Sequence, residues 1–397
     1  MNVIDSIISE FNSERDKIEI PIAQVKEQLS TYGGNILIYG AGSSGIAFLY
    51  ILKKIGVTPL FFIDSNEKKI GTMCEGVEVI SVQSIRQRVE GDFLVIVCIN
   101  TDGKRFCKSF DDALRIGGHH KVYSILHEAG CENVIDYTYF RRCFSLFSDE
   151  QYNSPSCSDV DLMIENKEGL IWTYDNLADE ESKEIFEKIV RFRLLDDSIE
   201  VPTLPQENQY FEQGIYRMRE DATFVDCGAY NGISLRTFLR IQNNKFESYY
   251  GFEPDEGNYY KLKDFLVTLG EISKKANIYN SALWDSKEKV RLYSLEGPGS
   301  FVTNDIGNHW VDSTTIDEVI GDKGATFIKM NIEGSEKQAL RGAKRTIEKY
   351  KPQLAIAGYH KTEDLWIIPK MILEYHHDYK LYLRSYMNHL SFVYYTD

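Results

Sequence analysis

Apolar positions along the chain form two runs in which strand-like and helix-like patterns alternate, separated by a stretch where the alternation stops. In the first run Ile36-Leu-Ile-Tyr39 is an unbroken apolar segment ending at a glycine, the pattern of a strand buried on both faces, and Ile46 to Ile55 repeat apolar residues at helical period. Leu60–Ile63, Val77–Ile80, Phe93–Cys98 and Lys121–Ile125 predict four more strands, with helical spacing between them. Residues 1 to about 30 read as polar, amphipathic helices. The second run opens on Thr223-Phe-Val-Asp-Cys227, followed by a glycine turn and a helical segment, Ser234–Arg240. Strands are then predicted at Ser248–Phe252, from Ile278 towards Asp285, at Phe327–Asn331 and at Gln353–Ala357. A helix is predicted over Glu336–Tyr350, and Tyr379–Leu383 with Phe392–Tyr395 should close the sheet as a hairpin.

This pattern defines an α/β chain with two Rossmann-like units. The predicted domains are 1–130, 131–220 and 221–397, the middle one mainly helical. In that middle stretch Tyr137–Phe147 is aromatic and basic, Asn153–Asp159 is a polar break, and Ser182–Leu195 is an amphipathic helix. A structural connector is the favoured reading, with a homodimerisation or substrate-covering element as the alternative.

At 397 residues the chain is too long for one core, which agrees with this division. Its net charge of −15 and the lack of a basic, aromatic-interleaved stretch argue against nucleic acid as a partner. The seven cysteines are scattered and never in C-x-x-C spacing, which suits reduced thiols. With no apolar run of membrane-spanning length, no membrane insertion and a cytoplasmic location are expected.

The first glycine turn, Gly40-Ala-Gly-Ser-Ser-Gly45, has G-x-G-x-x-G spacing between a strand and a helix, and Asp64 ends the next strand 22 residues beyond Gly42. Backbone N–H groups at Gly40, Gly42, Ser43, Ser44 and Gly45 could cradle a pyrophosphate, with Asp64 on a ribose. NAD or a nucleotide sugar is the ligand class this predicts, with a glycine turn that has lost its ligand as the alternative.

The second turn differs by one acid. Asp226 opens the loop that contains Gly228, Ala229, Tyr230 and Gly232, and a carboxylate there disfavours phosphate. A ligand carrying positive charge, such as S-adenosylmethionine (SAM), suits it better. Glu253 falls 27 residues after Asp226 at the tip of the next strand, placed to accept two ribose hydroxyl bonds, with Phe252 and Pro254 flanking an adenine. Ser281 and Ala282, in the turn after the third strand, are placed against the ring.

Five segments, Asp-Cys-Gly-Ala-Tyr-Asn-Gly (226–232), Gly-Phe-Glu-Pro-Asp (251–255), Asn-Ser-Ala-Leu-Trp-Asp (280–285), Ile-Lys-Met-Asn-Ile-Glu-Gly-Ser-Glu (328–336) and Tyr-His-Lys-Thr-Glu-Asp-Leu-Trp (359–366), together resemble the FkbM family of SAM-dependent methyltransferases. The resemblance covers roughly 220–397. It implies a class I methyltransferase sheet of seven strands with a reversed last strand, SAM contacts at Asp226, Gly228 and Glu253, and O-methylation of a sugar, glycoconjugate precursor or other hydroxylated small molecule. The family usually shows Asp where this chain has Asn331, which keeps open a second reading as a non-catalytic SAM or nucleotide sensor or scaffold.

An alcohol must lose a proton as it is methylated, and His360, Glu333 and, less favoured, His389 are candidate acceptors, with Asn331 orienting the hydroxyl. His360 follows an apolar strand and Glu333 follows Asn331, so both should stand at strand tips. A loop hydrogen bond for His360 and a helix-start cap for Glu333 are the structural alternatives. Asn331, Glu333 and His360 have metal-ligand chemistry, yet no spacing compels a metal and none is expected.

Overall fold

The computed structural model describes residues 2–99, 109–116, 121–147, 159–195, 201–217, 219–294, 300–303, 307, 309–386 and 391–397. The chain forms two compact units, Met1–Asn166 with Val190–Ile199, and Lys167–Ile189 with Glu200–Asp397. The stretch 131–220 is therefore not a separate connector. Its first part completes the first sheet and its last part packs into the second unit.

The first unit contains strands β1 (Ile36–Tyr39), β2 (Phe61–Ile63), β3 (Met73–Cys74), β4 (Val77–Ile80), β5 (Leu94–Val97) and β6 (Asn133–Asp136). They form one sheet in the order β3-β4-β2-β1-β5-β6, parallel except for the β3–β4 edge pair. Side chains alternate across such a sheet, and the core divides accordingly. Ile36, Ile38, Leu94 and Ile96 pack on one face with the helix Ser43–Lys54 and the amino-terminal Val25 and Leu29. Leu37, Tyr39, Val95 and Val97 pack on the other with Leu126. Lys121–Ile125 is not a strand but the start of a helix, Lys121–Glu128, and the sheet instead ends at β6. Its buried positions Val122, Tyr123 and Leu126 follow helical spacing, which a five-residue window conceals.

The second unit contains β7 (Thr223–Cys227), β8 (Ser248–Phe252), β9 (Ala276–Tyr279), β10 (Ala282–Leu283), β11 (Lys289–Tyr293), β12 (Phe301–Thr303), β13 (His309–Thr314), β14 (Phe327–Met330), β15 (Gln353–Ala357), β16 (Leu381–Ser385) and β17 (Phe392–Thr396). Seven of these make a sheet in the order β16-β17-β15-β14-β7-β8-β9. β17 is antiparallel to both neighbours, whereas β15, β14, β7, β8 and β9 run parallel. The chain proceeds from β7 outward through β8 and β9, then returns to the other side of β7 with β14. The reversal opens a crevice at the carboxyl ends of β7 and β14, where ligands bind in sheets of this kind.

β10, β13, β11 and β12 form a separate four-stranded sheet between β9 and β14, around a small core of Ala282, Trp284 and Val290. This insertion explains a second departure from the expected elements. The helix predicted over 336–350 is two helices, Glu336–Arg341 and Lys344–Tyr350. The chain bends at Gly342 because a Cβ there would lie 2.1 Å from the Trp284 carbonyl oxygen. Among the described residues no helix is long and apolar enough to cross a membrane, and Cys74, Cys98, Cys131, Cys143 and Cys227 are free thiols.

Candidate active site

β7 delivers Asp226 to the crevice but not as a bare carboxylate. Asp226 is fully buried, its Oδ1 lies 3.0 Å from Lys329 Nζ, and its Oδ2 accepts a 2.9 Å hydrogen bond from the Tyr249 hydroxyl. Lys329, on the neighbouring strand β14, also donates to the carbonyls of Cys227 and Gly228 at 3.1 and 2.7 Å. Burial raises the Asp226 carboxyl above its ordinary range, with Lys329, Tyr249 and Ser234 opposing. The charge that the sequence offered as the selector for a cationic ligand is therefore compensated inside the protein, and Asp226 fixes the loop's carbonyls through Lys329.

The loop after β7 is shaped by close approach. Gly228 has φ +81°, and a Cβ there would fall 2.1 Å from the Asn331 carbonyl oxygen. Only glycine fits that backbone and that distance together. Gly228 and Ala229 donate their N–H groups to the Phe252 carbonyl at 3.1 and 2.9 Å. Tyr230 is left-handed at φ +49°, and Gly232, at φ +84°, starts the helix Ile233–Ile241.

These bends aim the Tyr230 N–H at Glu253. Glu253 Oε2 accepts it at 2.8 Å and Oε1 accepts the Asp255 N–H at 3.0 Å, so the carboxylate is clamped at the tip of β8 with one lone pair of each oxygen still open. Burial pushes the Glu253 carboxyl up to about 7, against the two backbone N–H groups and Lys329, while Asp255 adds to the rise. Asp255 itself caps the helix Glu256–Thr268 through the Asn258 N–H. The Phe252 ring is buried and stacked on Tyr279, centroids 5.0 Å apart, so it backs the site from the core; Pro254 is half-buried. Asn280 Nδ2 ties the Glu253 and Pro254 carbonyls at 2.9 and 3.1 Å. Ala282 belongs to the small-sheet core, while Ser281 Oγ and Asn231 Oδ1 are buried beside these turns with no hydrogen-bond partner.

On the other side of the crevice β14 and β15 bring Asn331, Glu333, Tyr359 and His360 together. Asn331 Oδ1 accepts from the Tyr359 hydroxyl at 3.1 Å, so its amide N–H₂ is the part left for a ligand. Glu333 is half-buried and left-handed at φ +55°, and His360 Nε2 lies 3.8 Å from its Oε1. The other ring nitrogen, Nδ1, lies 3.0 Å from Oε1 of the fully buried Glu336.

The charges here act on one another. Burial alone would push the His360 imidazole down, but Glu336 and Glu333 hold it up, at about 9. Burial, with Glu336 adding, raises the Glu333 carboxyl, and His360 opposes. Glu336 moves the other way, below its ordinary range, because His360 and the Ile332 N–H outweigh its burial. Burial and Glu336 push Asp364 up to about 7. Glu336, His360 and Asp364 together are the set in which a metal could be held, with one ligand atom of each within 4.8 Å of the others.

Three groups were not singled out from the sequence. Tyr210, left-handed at φ +75°, brings its ring within 5.2 Å of Lys329 Nζ, and Gln209 Nε2 donates to the Tyr210 hydroxyl and to Ser391 Oγ at 3.3 and 3.0 Å. Both follow the irregular segment 201–208, where no periodicity points to a site. Glu336 and Asp364 lie inside the motifs at 328–336 and 359–366, which carried a family likeness but no individual role. His389 lies outside the described residues. Arg384, on β16, is buried and committed to Asp179 at 2.7 Å and Ser182 at 2.9 Å, so it is not left for an acceptor's polar groups.

In the first unit the glycine turn meets its steric requirements. A Cβ at Gly45 would lie 1.9 Å from the Gly40 carbonyl, Gly42 has open space, and Ser43 and Ser44 begin the helix. Asp64, however, turns back on the chain, accepting the Ala41 N–H at 3.0 Å and the Asn66 N–H at 2.9 Å, and lies 3.6 Å from Lys69 Nζ.

The order of the seven strands and the crevice at their switch point define a methyltransferase fold. Residues 226–394 match the family model described as the methyltransferase FkbM domain, and the chain carries such a domain. The crystal structure of methyltransferase FkbM from Methylobacillus flagellatus KT aligns with 100% of this chain and 99% of its own, at 22% identity and a TM-score of 0.65, so the fold is shared along the whole length. A putative rRNA methylase from Clostridium thermocellum aligns with 45% of this chain and 87% of its own, at 10% identity and a TM-score of 0.29. None of the curated proteins matches the chain.

Proposed function

We propose that the second unit is a SAM-dependent O-methyltransferase acting on a hydroxyl of a sugar or glycoconjugate precursor. The observation that carries this reading is Glu253, a buried carboxylate clamped by two backbone N–H groups at the tip of β8, with one lone pair of each oxygen left over. Ser281 Oγ and Asn231 Oδ1, buried without partners, supply further polar groups that a nucleoside would satisfy, so the residues fit SAM. When bound, SAM supplies an electrophilic methyl group. The chain's own residues have to hold the acceptor, exclude water and take a proton. The acceptor side, formed by the Asn331 amide, the Tyr359 hydroxyl and the Glu333 carboxylate, is built for hydrogen bonds to a neutral hydroxyl, and Lys329 is already spent on Asp226. Glu333 is the proton acceptor in this reading and His360 its partner, because His360 is surrounded by acids and holds a hydrogen towards Glu333. For the first unit no ligand is proposed.

S-adenosylhomocysteine release measured with a panel of hydroxylated acceptors, nucleotide sugars first, tests the activity. Turnover dependent on one acceptor class is expected. SAM binding with no release from any hydroxylated acceptor would favour the sensor or scaffold reading instead.

Glu253 also predicts a pH dependence. With its carboxyl at about 7, raised by burial and Asp255 against Lys329 and two backbone N–H groups, it takes up a proton as pH falls through 7 and loses the charge that strengthens its bonds to hydroxyls. SAM affinity is therefore expected to decline below pH 7 and to level off above it. The stability contribution has the opposite sense. A raised carboxyl binds protons in the folded state before the unfolded one does, so this group favours folding increasingly as pH falls from about 7 towards its ordinary value. Calorimetric SAM titrations from pH 5.5 to 8.5 check the first statement, and a flat profile would show that the Glu253 charge does not contribute.

A further inference from the structure

One imidazole and three carboxylates converge behind the acceptor side of the crevice, and their geometry is not that of a closed hydrogen-bond network. His360 is 7% exposed, Glu336 0% and Asp364 2%, so bulk water does not solvate them. His360 Nδ1 and Glu336 Oε1 are 3.0 Å apart, yet neither ring nitrogen of His360 makes a hydrogen bond, because the ring does not point along that line. Two donor atoms about 3 Å apart that do not face each other are arranged as neighbours on a common third atom. A buried histidine whose ring nitrogens face carboxylates without an aligned hydrogen bond is poorly satisfied unless something else engages it.

The carboxylates are already oriented from outside. Glu336 Oε1 and Oε2 accept the Ile332 and Gly334 N–H groups at 2.8 and 3.0 Å, and Asp364 Oδ2 accepts the Lys361 N–H at 2.8 Å. Ligands of metal ions are typically held in this way by their outer partners, and a metal-bound histidine usually turns its second ring nitrogen to a carboxylate. His360 Nε2 faces Glu333 at 3.8 Å.

We infer that His360 Nδ1, Glu336 Oε1 and an Asp364 oxygen bind a divalent transition-metal ion. One imidazole and two carboxylates suit borderline ions such as Zn²⁺, Mn²⁺ or Fe²⁺, and three protein ligands leave positions open. Ligands ~2.1 Å from one ion stand ~3–3.4 Å apart at octahedral or tetrahedral angles, so atoms that lie within 4.8 Å of one another reach such positions with closures of at most about 2 Å. The ion would fix the His360 ring with its Nε2 hydrogen towards Glu333, the same orientation that a proton on Nδ1 allows. The set differs from Asn331, Glu333 and His360, the metal-ligand types seen in the sequence, by using two residues of helix starts. It does not depend on the identity of the methyl acceptor or on methyl transfer itself.

The test uses the full-length chain, stripped with chelator and titrated with Mn²⁺, followed by electron paramagnetic resonance of the free ion, and separately with Zn²⁺ by calorimetry. One equivalent of at least one ion is expected to bind. Asp364→Asn and Glu336→Gln, confirmed as folded by circular dichroism, should weaken it by more than about 100-fold. Glu333→Gln, which leaves the three ligands in place, should weaken it ~10–100-fold as the loss of an outer partner does. Absence of stoichiometric binding of either ion to the wild-type chain overturns the proposal whether or not the variants fold. So does an affinity that survives Asp364→Asn and Glu336→Gln in folded protein.

Discussion

Glu253→Ala is expected to weaken SAM binding by about 2–4 kcal/mol, counting two hydrogen bonds to a charged group at ~1.5–3 kcal/mol each and allowing for non-additivity. The geometry is favourable to this. The carboxylate is not free to rotate, because Tyr230 and Asp255 hold one oxygen each, so little ordering entropy offsets the bonds to a ligand. The substitution also leaves the Tyr230 and Asp255 N–H groups without their acceptor, and part of the loss will come from relaxation of the loop around Gly228. Glu253→Gln separates the two contributions, since the amide oxygen can still accept one backbone N–H while the charge is gone. An unchanged dissociation constant for both variants by calorimetry would remove Glu253 from the cofactor site.

Glu333→Gln is expected to lower turnover ~10²–10⁴-fold with SAM affinity within a few-fold of wild type, the usual cost of losing a general base. Sequence considerations placed His360 first in this role. The proposed reading puts Glu333 first instead, because Glu336, Glu333 and Asp364 all bear on His360 and favour its charged form, so it donates where a base must accept. His360→Ala should therefore behave differently, leaving buried Glu336 and Asp364 without their counter-charge and destabilising the unit by ~3–5 kcal/mol, the cost of breaking a buried pair. Steady-state rates with the true acceptor, beside thermal unfolding of both variants, tell the roles apart. Full turnover in Glu333→Gln would leave alignment of the acceptor as the sole source of acceleration. Asn331 fits this scheme as an orienting residue, its carbonyl oxygen held by Tyr359 and its amide available to the substrate oxygen.

Much of the fold was legible before any coordinates. Alternating residues of β1 and β5 do pack on opposite faces, Gly228 and Gly45 do stand where a Cβ would fall about 2 Å from a backbone carbonyl oxygen, and Glu253 does follow the last residue of β8. The strand faces and the Gly45 turn depend on neighbours a few positions away, since periodicity records which face is buried, whereas the glycine at 228 records a carbonyl, that of Asn331, which only the return of β14 brings close. What the sequence concealed depends on chain order in the sheet. Asp226 and Lys329 are 103 residues apart in sequence and become partners only because β14 returns to lie beside β7. Gly342 stands between the two helices where the carbonyl of Trp284, just after β10, leaves no room for a Cβ. Tyr210 reaches Lys329 from a segment with no pattern at all, and Glu336, His360 and Asp364 meet because two helices begin beside the tips of β14 and β15. Local pattern determined the elements and the Gly45 turn; strand order and close packing decided which charges face one another, because side chains far apart in sequence meet only where the sheet brings their strands side by side.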